Sequence, residues 1–278
     1  MSNTCIVCDS LVFMRRHKSL RQCLKCGHVI AEIEAEKTSF KDIYSPKYFK
    51  GEGDYCDYLG DRKCHEKNFY SRLKDILFYC PKGKLLEIGS AYGLFLALAK
   101  KYYFPLGYEI CKEAADFAKK EFDLNVQSDD FLAANLPEGS FDVIVMWDVL
   151  EHLPNPQDFV AKIYRLLKKD GILALTTGDI GSFFARHRGE KWRLIHPPTH
   201  LHYFSKKSIT RLLSNYSFNI LKISYPGYWR SFRFIFYRLF AKGANHSPLL
   251  SKFINVKPLA NLSVYFNFFD IMQVIAKK

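Results

Sequence analysis

The feature that most constrains this chain is the segment 84–95, Lys-Leu-Leu-Glu-Ile-Gly-Ser-Ala-Tyr-Gly-Leu-Phe. We predict that Lys84–Ile88 forms a short buried strand, that Gly89–Gly93 forms a turn of small residues, and that the apolar residues after Gly93 begin a helix. A strand, a glycine turn and a helix in this order make up a nucleotide-binding crossover. Because glycines let a ligand approach the backbone and a helix N-terminus offers free N–H groups, the segment predicts a ligand site at the end of the strand.

The acidic residue in this segment discriminates between nucleotide ligands. Glu87 precedes the first glycine, so the pattern is E-x-G-x-x-x-G and not the dinucleotide pattern G-x-G-x-x-G. A carboxylate there disfavours a pyrophosphate and suits an ammonium group, and S-adenosylmethionine combines an ammonium, a ribose and an adenine. The alternative is an ordinary tight turn that binds nothing. The residues of this segment that we assign to cosubstrate binding are Glu87, Gly89, Ser90 and Gly93.

Predicted strands alternate with predicted helices along the middle of the chain. We predict strands at 105–109, 124–127, 141–147 and 172–176, and helices at 63–80, 93–102, 112–122 and 158–169. This alternation is typical of a doubly wound parallel sheet, in which ligands bind at the carboxyl ends of the strands. Glu109 ends the second strand, 20 residues after Gly89, where a carboxylate accepts hydrogen bonds from ribose hydroxyls. The other strand-end residues assigned to the cosubstrate are Ile110, Asp130, Phe131 and Trp147.

The N-terminal segment carries a metal-binding pattern. The pairs Cys5-x-x-Cys8 and Cys23-x-x-Cys26 are separated by 14 residues. Four thiolates at this spacing suit tetrahedral zinc, and a segment this short with few large apolar residues needs a metal to fold. We therefore predict a structural zinc-binding module at residues 1–35.

Two further segments are predicted to lie outside the sheet. Residues 36–62 form a connector whose tyrosines, including Tyr48, Tyr55 and Tyr58, either dock on the next domain or close over its site as a lid. Residues 228–262 form an insertion that begins with aromatic residues and interspersed arginines. It is predicted to be a cap on the core, an acceptor-binding lid, or, through 228–240, a peripheral contact with a membrane.

The charge distribution favours an anionic partner. The chain has a formal net charge of +13, and residues 181–278 carry 16 basic and 2 acidic side chains. A phosphorylated small molecule, a nucleic acid and a membrane surface all fit such a field. There is no uncharged apolar run of about 18 residues or more, and Met-Ser-Asn-Thr-Cys is not a signal peptide, so a cytoplasmic location is expected.

These motifs together resemble a known enzyme family. Residues 84–177, with E-I-G-S-A-Y-G, L-P-E-G-S-F-D-V-I, D-V-L-E-H and L-L-K-K-D-G-I-L, resemble class I S-adenosylmethionine-dependent methyltransferases. The resemblance implies a Rossmann-like, doubly wound, seven-stranded sheet spanning 63–278 whose last strand, 270–277, is antiparallel. Ala91 stands where many members have a glycine. With the zinc module and W-R-L-I-H-P-P-T-H-L-H-Y-F-S at 192–205, the chain is similar to sugar C-methyltransferases of surface-polysaccharide pathways.

The acceptor must be positioned in line with the methyl group and lose a proton. A histidine base is the usual choice near neutral pH and would make turnover rise through about pH 6–7. We assign His152, with Glu151 beside it at the end of the fourth strand, and His200 of the H-L-x-x-F-S match as catalytic residues. His196 and His202 are weaker candidates.

Three functions remain open at this point. The first is methyl transfer to a small, anionic acceptor such as a sugar nucleotide or glycan precursor. The second is an RNA methyltransferase that binds RNA through the zinc module and the basic last third, although the chain lacks an Asn/Asp-Pro-Pro-aromatic motif after strand four. The third is a non-catalytic binding protein, which the intact motifs disfavour.

Overall fold

A computed structural model of the chain describes residues 4–17, 19–32, 58–236 and 262–278. Its strands are β1 Phe13–His17, β2 Leu20–Cys23, β3 Val29–Ala31, β4 Gly83–Ile88, β5 Tyr103–Tyr108, β6 Asn125–Gln127, β7 Phe141–Trp147, β8 Leu167–Gly178, β9 His202–Tyr203, β10 Asn219–Ser224, β11 Tyr228–Ser231, β12 Ser263–Phe266 and β13 Ile271–Lys277. Its helices are α1 Arg62–Tyr79, α2 Leu94–Ala99, α3 Lys112–Phe122, α4 Pro156–Leu166, α5 Phe183–Arg188, α6 Lys206–Asn215 and α7 Phe232–Phe236.

A seven-stranded sheet forms the centre of the molecule, in the order β10-β13-β8-β7-β4-β5-β6. The five strands from β8 to β6 are parallel, whereas β13 lies antiparallel between β8 and β10. The Rossmann-like α/β fold and the antiparallel last strand predicted from the sequence are confirmed. The central parts of two strands, 143–147 of β7 and 172–175 of β8, are continuous apolar runs because helices cover both faces of the sheet.

Helix α1 packs on the face of the sheet that is also covered by α2. Its Phe69, Leu73 and Ile76 are buried in one cluster with Leu85 of β4 and Phe95 of α2. These positions follow the helical spacing predicted for 63–80. The packing fixes α1 against β4 and α2, which border the predicted cosubstrate turn.

Strand β8 differs from its prediction. Helix α4 ends at Leu166, and β8 begins at the next residue, so the predicted helix end at 169 is wrong. Two steps of β7, from Phe141 to Val143, face five steps of β8, from Leu167 to Ile172. The extra residues bulge out around Asp170, whose φ is +65°. The pair Asp170-Gly171, a sequence typical of turns, therefore forms a bulge within the strand.

The cysteine segment joins the larger domain through a shared sheet. Strands β1, β2 and β3 continue into β9, which the chain reaches about 170 residues later, in a four-stranded antiparallel sheet. The backbone N–H of Ala31 donates to the carbonyl of Leu201 at 2.8 Å, and His28 Nε2 lies 3.1 Å from His202 Nδ1. The N-terminal segment is thus anchored directly to the histidine-containing segment 196–205.

The insertion begins with β11, which pairs antiparallel with β12 just after the insertion, and α7 follows β11. Residues 237–261 of the insertion, 36–57 of the connector with Tyr48 and Tyr55, and 33–35 of the N-terminal module lie outside the described residues. Among the helices of the described part, none is long and apolar enough to cross a lipid bilayer.

Candidate functional site

A cavity of about 880 Å³ opens at the carboxyl ends of β4, β5 and β7. The predicted site residues that line it are Glu87, Gly89, Glu109, Ile110, Asp130, Phe131, Trp147, Glu151, His152 and His200. The side chains assigned to the cosubstrate and those assigned to catalysis therefore share one cavity. Ser90 and Gly93 are not among the residues that line it.

Glu109, immediately after β5, is fixed by backbone donors. The N–H groups of Ala91 and Cys111 donate to its two carboxylate oxygens at 2.7 and 2.9 Å. Burial raises the pKa of Glu109, and these backbone hydrogen bonds oppose that shift. Because each oxygen retains further lone-pair capacity, the carboxylate can also accept hydrogen bonds from a ligand.

Two buried polar atoms of residues that line the cavity have no hydrogen-bond partner within the described residues: Glu87 Oε2 and Trp147 Nε1. Burial, followed by the charge of Glu109, raises the pKa of Glu87 well above its usual value. Buried polar groups are normally satisfied, and those that are not point to a missing ligand. A ligand with an ammonium and hydroxyl groups supplies suitable partners, so these residues fit S-adenosylmethionine.

The turn between β4 and α2 contains two glycines, Gly89 and Gly93. Gly89 and Gly93 both have a φ of +76°, which favours glycine. A Cβ on Gly93 would lie 2.7 Å from Cβ of Ala118, so this glycine is required by the packing of α2 on α3. Ala91, where the family often has glycine, adopts a φ of +47° and still donates its N–H to Glu109.

The predicted catalytic residues form one buried cluster. Glu151 and His152 belong to a 3₁₀ turn, Leu150–His152, just after β7, and the N–H of Leu201 donates to the carbonyl of Glu151 at 2.9 Å. This bond brings in His200, whose ring lies 4.5 Å from that of His152 and nearly perpendicular to it. All three residues are less than a tenth exposed.

Burial changes how these groups ionise. It lowers the pKa of His152 to about 4 and that of His200 well below its usual value. Burial and the charge of Asp148 raise the pKa of Glu151 to about 8. Both imidazoles are therefore neutral at pH 6–7, and the titration in that range predicted from an ordinary histidine is not expected in this protein.

Several residues that line the cavity were not predicted from the sequence. Arg72 of α1 lies over the Trp147 ring at 5.2 Å and pairs with Asp148 at 3.4 Å. Arg193 and Arg230 also line the cavity, and both lie over the ring of Tyr228, at 5.4 and 5.3 Å. Arg230 lies within the stretch of arginines and aromatic residues at the start of the insertion, and this stretch was the sequence pattern that could have pointed to it.

Tyr58 is the lid candidate that the structure places. It lines the cavity, and its ring stacks on that of His65 at 4.1 Å. Tyr58 also lies 5.9 Å from the ring of Tyr92, so it covers the cosubstrate turn.

The four cysteines converge as their spacing predicts. Cys5 Sγ lies 3.5 Å from Cys26 Sγ, and Cys8 Sγ lies 3.5 Å from Cys23 Sγ. All four are buried, and their sulfur atoms lie within 4.8 Å of one another. Four sulfurs in this arrangement match the donor set of a structural zinc ion.

The chain is similar in sequence to other known proteins. An uncharacterized protein of Methanocaldococcus jannaschii is 27% identical over 156 residues, which cover 55% of this chain and 73% of that protein. A ubiquinone biosynthesis O-methyltransferase of Coxiella burnetii is 31% identical over 103 residues, and the match covers 34% of this chain and 44% of that enzyme's length.

Solved structures share the fold. An S-adenosylmethionine-dependent methyltransferase of Thermotoga maritima has a TM-score of 0.54 at 20% identity, covering 80% of this chain and 92% of the other. An S-adenosylmethionine-dependent methyltransferase of Archaeoglobus fulgidus has a TM-score of 0.54 at 20% identity, covering 80% of this chain and 99% of the other. The profile of the methyltransferase domain family matches residues 61–223, which is more than half of the chain. The chain therefore belongs to the methyltransferase domain family and is an S-adenosylmethionine-dependent methyltransferase.

Proposed function

We propose that this enzyme transfers the methyl group of S-adenosylmethionine to a hydroxyl of a small anionic acceptor, such as a sugar nucleotide or glycan precursor. The observation that carries this proposal is the single cavity that joins Glu87 and Glu109 to the buried cluster of Glu151, His152 and His200. An oxygen acceptor is supported by the matching enzymes named ubiquinone biosynthesis O-methyltransferases.

The residues divide between two tasks in this proposal. Glu87 receives the ammonium of the cosubstrate, Glu109 its ribose hydroxyls, and Asp130 and Phe131 its adenine end. Gly89, Ile110 and Trp147 complete this wall, while Ser90 and Gly93 shape the turn. Glu151, His152 and His200 activate the acceptor hydroxyl: its oxygen forms a bond to the methyl carbon, the carbon–sulfur bond breaks with its electron pair on sulfur, and the hydroxyl proton is released.

The anionic character of the acceptor is supported by the arginines of the cavity. Arg230 Nη1 and Arg193 Nε are buried without a hydrogen-bond partner among the described residues. Arg193 also pairs with Asp270 at 2.9 Å, which fixes its guanidinium. The oxygens of a phosphate or carboxylate accept strong hydrogen bonds from guanidinium groups that are held in place in this way.

Arg230→Ala is expected to raise the KM for the acceptor about tenfold or more, because a hydrogen bond to a charged group is lost. The dependence of acceptor KM on salt should become shallower, while the affinity for S-adenosylmethionine is retained. The matched control is Arg233→Ala, an exposed arginine of the same insertion outside the cavity lining. An unchanged acceptor KM in Arg230→Ala would remove this arginine from acceptor binding.

The direct test supplies labelled S-adenosylmethionine with sugar nucleotides, other small anionic hydroxyl compounds, and RNA, and measures transfer to each. Methylation of a small anionic hydroxyl compound is the expected result. Methylation of RNA in its place would favour the RNA enzyme, and cosubstrate binding without any transfer would favour a binding protein. A buried catalytic cluster favours the small acceptor, since an RNA nucleotide would have to be extruded to reach it.

We further propose that Cys5, Cys8, Cys23 and Cys26 hold one structural zinc ion. In this division of the chain, residues 1–35 form the zinc module, 36–62 a connector and lid, and 63–278 the methyltransferase domain. The closeness of the four sulfur atoms supports the ion. The pairing of β3 with β9 implies that the module also holds the segment that carries His200.

Cys23→Ala is expected to abolish zinc binding, to leave affinity for S-adenosylmethionine largely intact, and to slow methyl transfer roughly tenfold or more. The rate falls because β9, two residues after His200, loses its paired strand. Elemental analysis, calorimetry and turnover assays measure the three effects, with Cys80→Ala, a cysteine outside the cluster, as the control. Undiminished turnover in a zinc-free variant would show that the module does not position the site.

A further inference from the structure

The Glu151–His152–His200 cluster has the composition and geometry of a metal site. One ligand atom from each residue can be chosen so that all three lie within 4.8 Å of one another. Two imidazole nitrogens and one carboxylate oxygen are common donors to a divalent transition-metal ion. The cluster lies on the cavity wall, so an ion held there has open positions that face the acceptor.

Each histidine is oriented by a backbone carbonyl through one of its ring nitrogens. His152 Nδ1 lies 2.9 Å from the carbonyl oxygen of Thr199, to which it donates, and His200 makes a hydrogen bond with the backbone of Leu194. Such bonds fix the orientation of the two imidazole rings. Metal-ligating histidines almost always have this kind of partner.

The carboxylate supplies a second, independent observation. Glu151 is 4% exposed, and its Oε2 has no hydrogen-bond partner within the described residues. Arg72, the cation that acts on it most, pairs with Asp148. A buried carboxylate oxygen without a partner is costly, and a bound cation would satisfy it.

We propose that Glu151, His152 and His200 bind a divalent transition-metal ion that activates the acceptor. The inference rests on the proposed function and specifies how the cluster promotes methyl transfer. The ion binds the acceptor hydroxyl oxygen and lowers its pKa, so that the proton passes to solvent. That oxygen then attacks the methyl carbon, and the electron pair of the broken carbon–sulfur bond remains on sulfur. The ion is distinct from the zinc of the four cysteines.

The test counts metal ions on the full chain. Wild-type protein is dialysed against Co²⁺, washed free of excess metal, and analysed for zinc plus cobalt. We expect two ions per chain, one of them bound without the intense thiolate-to-cobalt absorption that a four-cysteine site would give. Glu151→Gln and His200→Ala should each retain one ion. His187→Ala, an exposed histidine outside the cavity lining, should retain two.

Calorimetry with S-adenosylmethionine on the same samples shows whether each variant remains folded. One ion per chain in the wild type, or two in both cluster variants, would overturn the metal site. Methyl transfer by a wild type that holds one ion would retain the proposed function and leave an imidazole as the base. Two ions without transfer to any small anionic compound would retain the metal site and reject the proposed acceptor.

Discussion

Glu109→Ala is expected to weaken S-adenosylmethionine binding by about 2–4 kcal/mol, because two ribose hydroxyls lose a charged acceptor. Glu109 is 5% exposed and is held by the N–H groups of Ala91 and Cys111, so water cannot easily replace the lost carboxylate. The same substitution leaves those two N–H groups without their acceptor, which should also lower the free energy of unfolding. Calorimetry of cosubstrate binding, together with thermal unfolding of the ligand-free protein, separates the two effects.

Two variants sharpen this measurement. Glu109→Gln keeps the shape and one good acceptor oxygen, so its loss of affinity should be smaller than that of Glu109→Ala. Glu113→Ala removes an exposed carboxylate from the first turn of α3, four residues away, and should leave affinity unchanged. An affinity of Glu109→Ala equal to wild type would exclude Glu109 from ribose binding.

The central fold was predictable because its signals are local and periodic. Helix α3 spans Lys112–Phe122 as predicted, and β7 spans Phe141–Trp147 as predicted. In both cases apolar periodicity and flanking turn residues agree with the tertiary packing. The start of β8 was predicted wrongly for the opposite reason. Asp170–Gly171 is typical of a turn, but pairing with β7 places it in a bulge within the strand.

The cosubstrate half of the site was predictable from one rule, that ligands bind at the carboxyl ends of parallel strands. That rule brings together Glu87, Glu109 and Trp147, which do line one cavity. Arg72 could not be predicted in this way. It lies within the long helix α1, where an arginine is usually expected to face solvent. Only the tertiary packing brings it over Trp147.

The link between the cysteine segment and the active site was also beyond sequence reasoning. Strand β9 consists of His202 and Tyr203 alone, too short to show a period of two, and its partner β3 is about 170 residues away. His28 gave no signal either, because a single histidine two residues after Cys26 indicates no particular contact in the sequence. It contacts His202 at 3.1 Å in the buried seam between the two parts.

His152→Ala and His200→Ala are each expected to keep S-adenosylmethionine binding, and at least one should lose roughly two or more orders of magnitude in turnover. The two rings lie 4.5 Å apart on the cavity wall, and they reach it from different elements, the turn after β7 and the segment before β9. In the proposed function, both residues therefore act on the acceptor from separate backbone supports. The large effect is expected whether the cluster acts as a base or as a metal site, because either role requires the imidazole.

Single-turnover methyl transfer on the identified acceptor is the decisive measurement, since it reports the chemical step without product release. His187→Ala, whose ring is exposed and stacks on Phe183, should retain the wild-type rate and so controls for loss of a histidine as such. A loss confined to His200→Ala would assign activation to the segment held by β3, and the Cys23→Ala defect should then resemble it. If both variants keep the full rate at every pH, the cluster does not activate the acceptor, and the enzyme would work by positioning its two substrates alone.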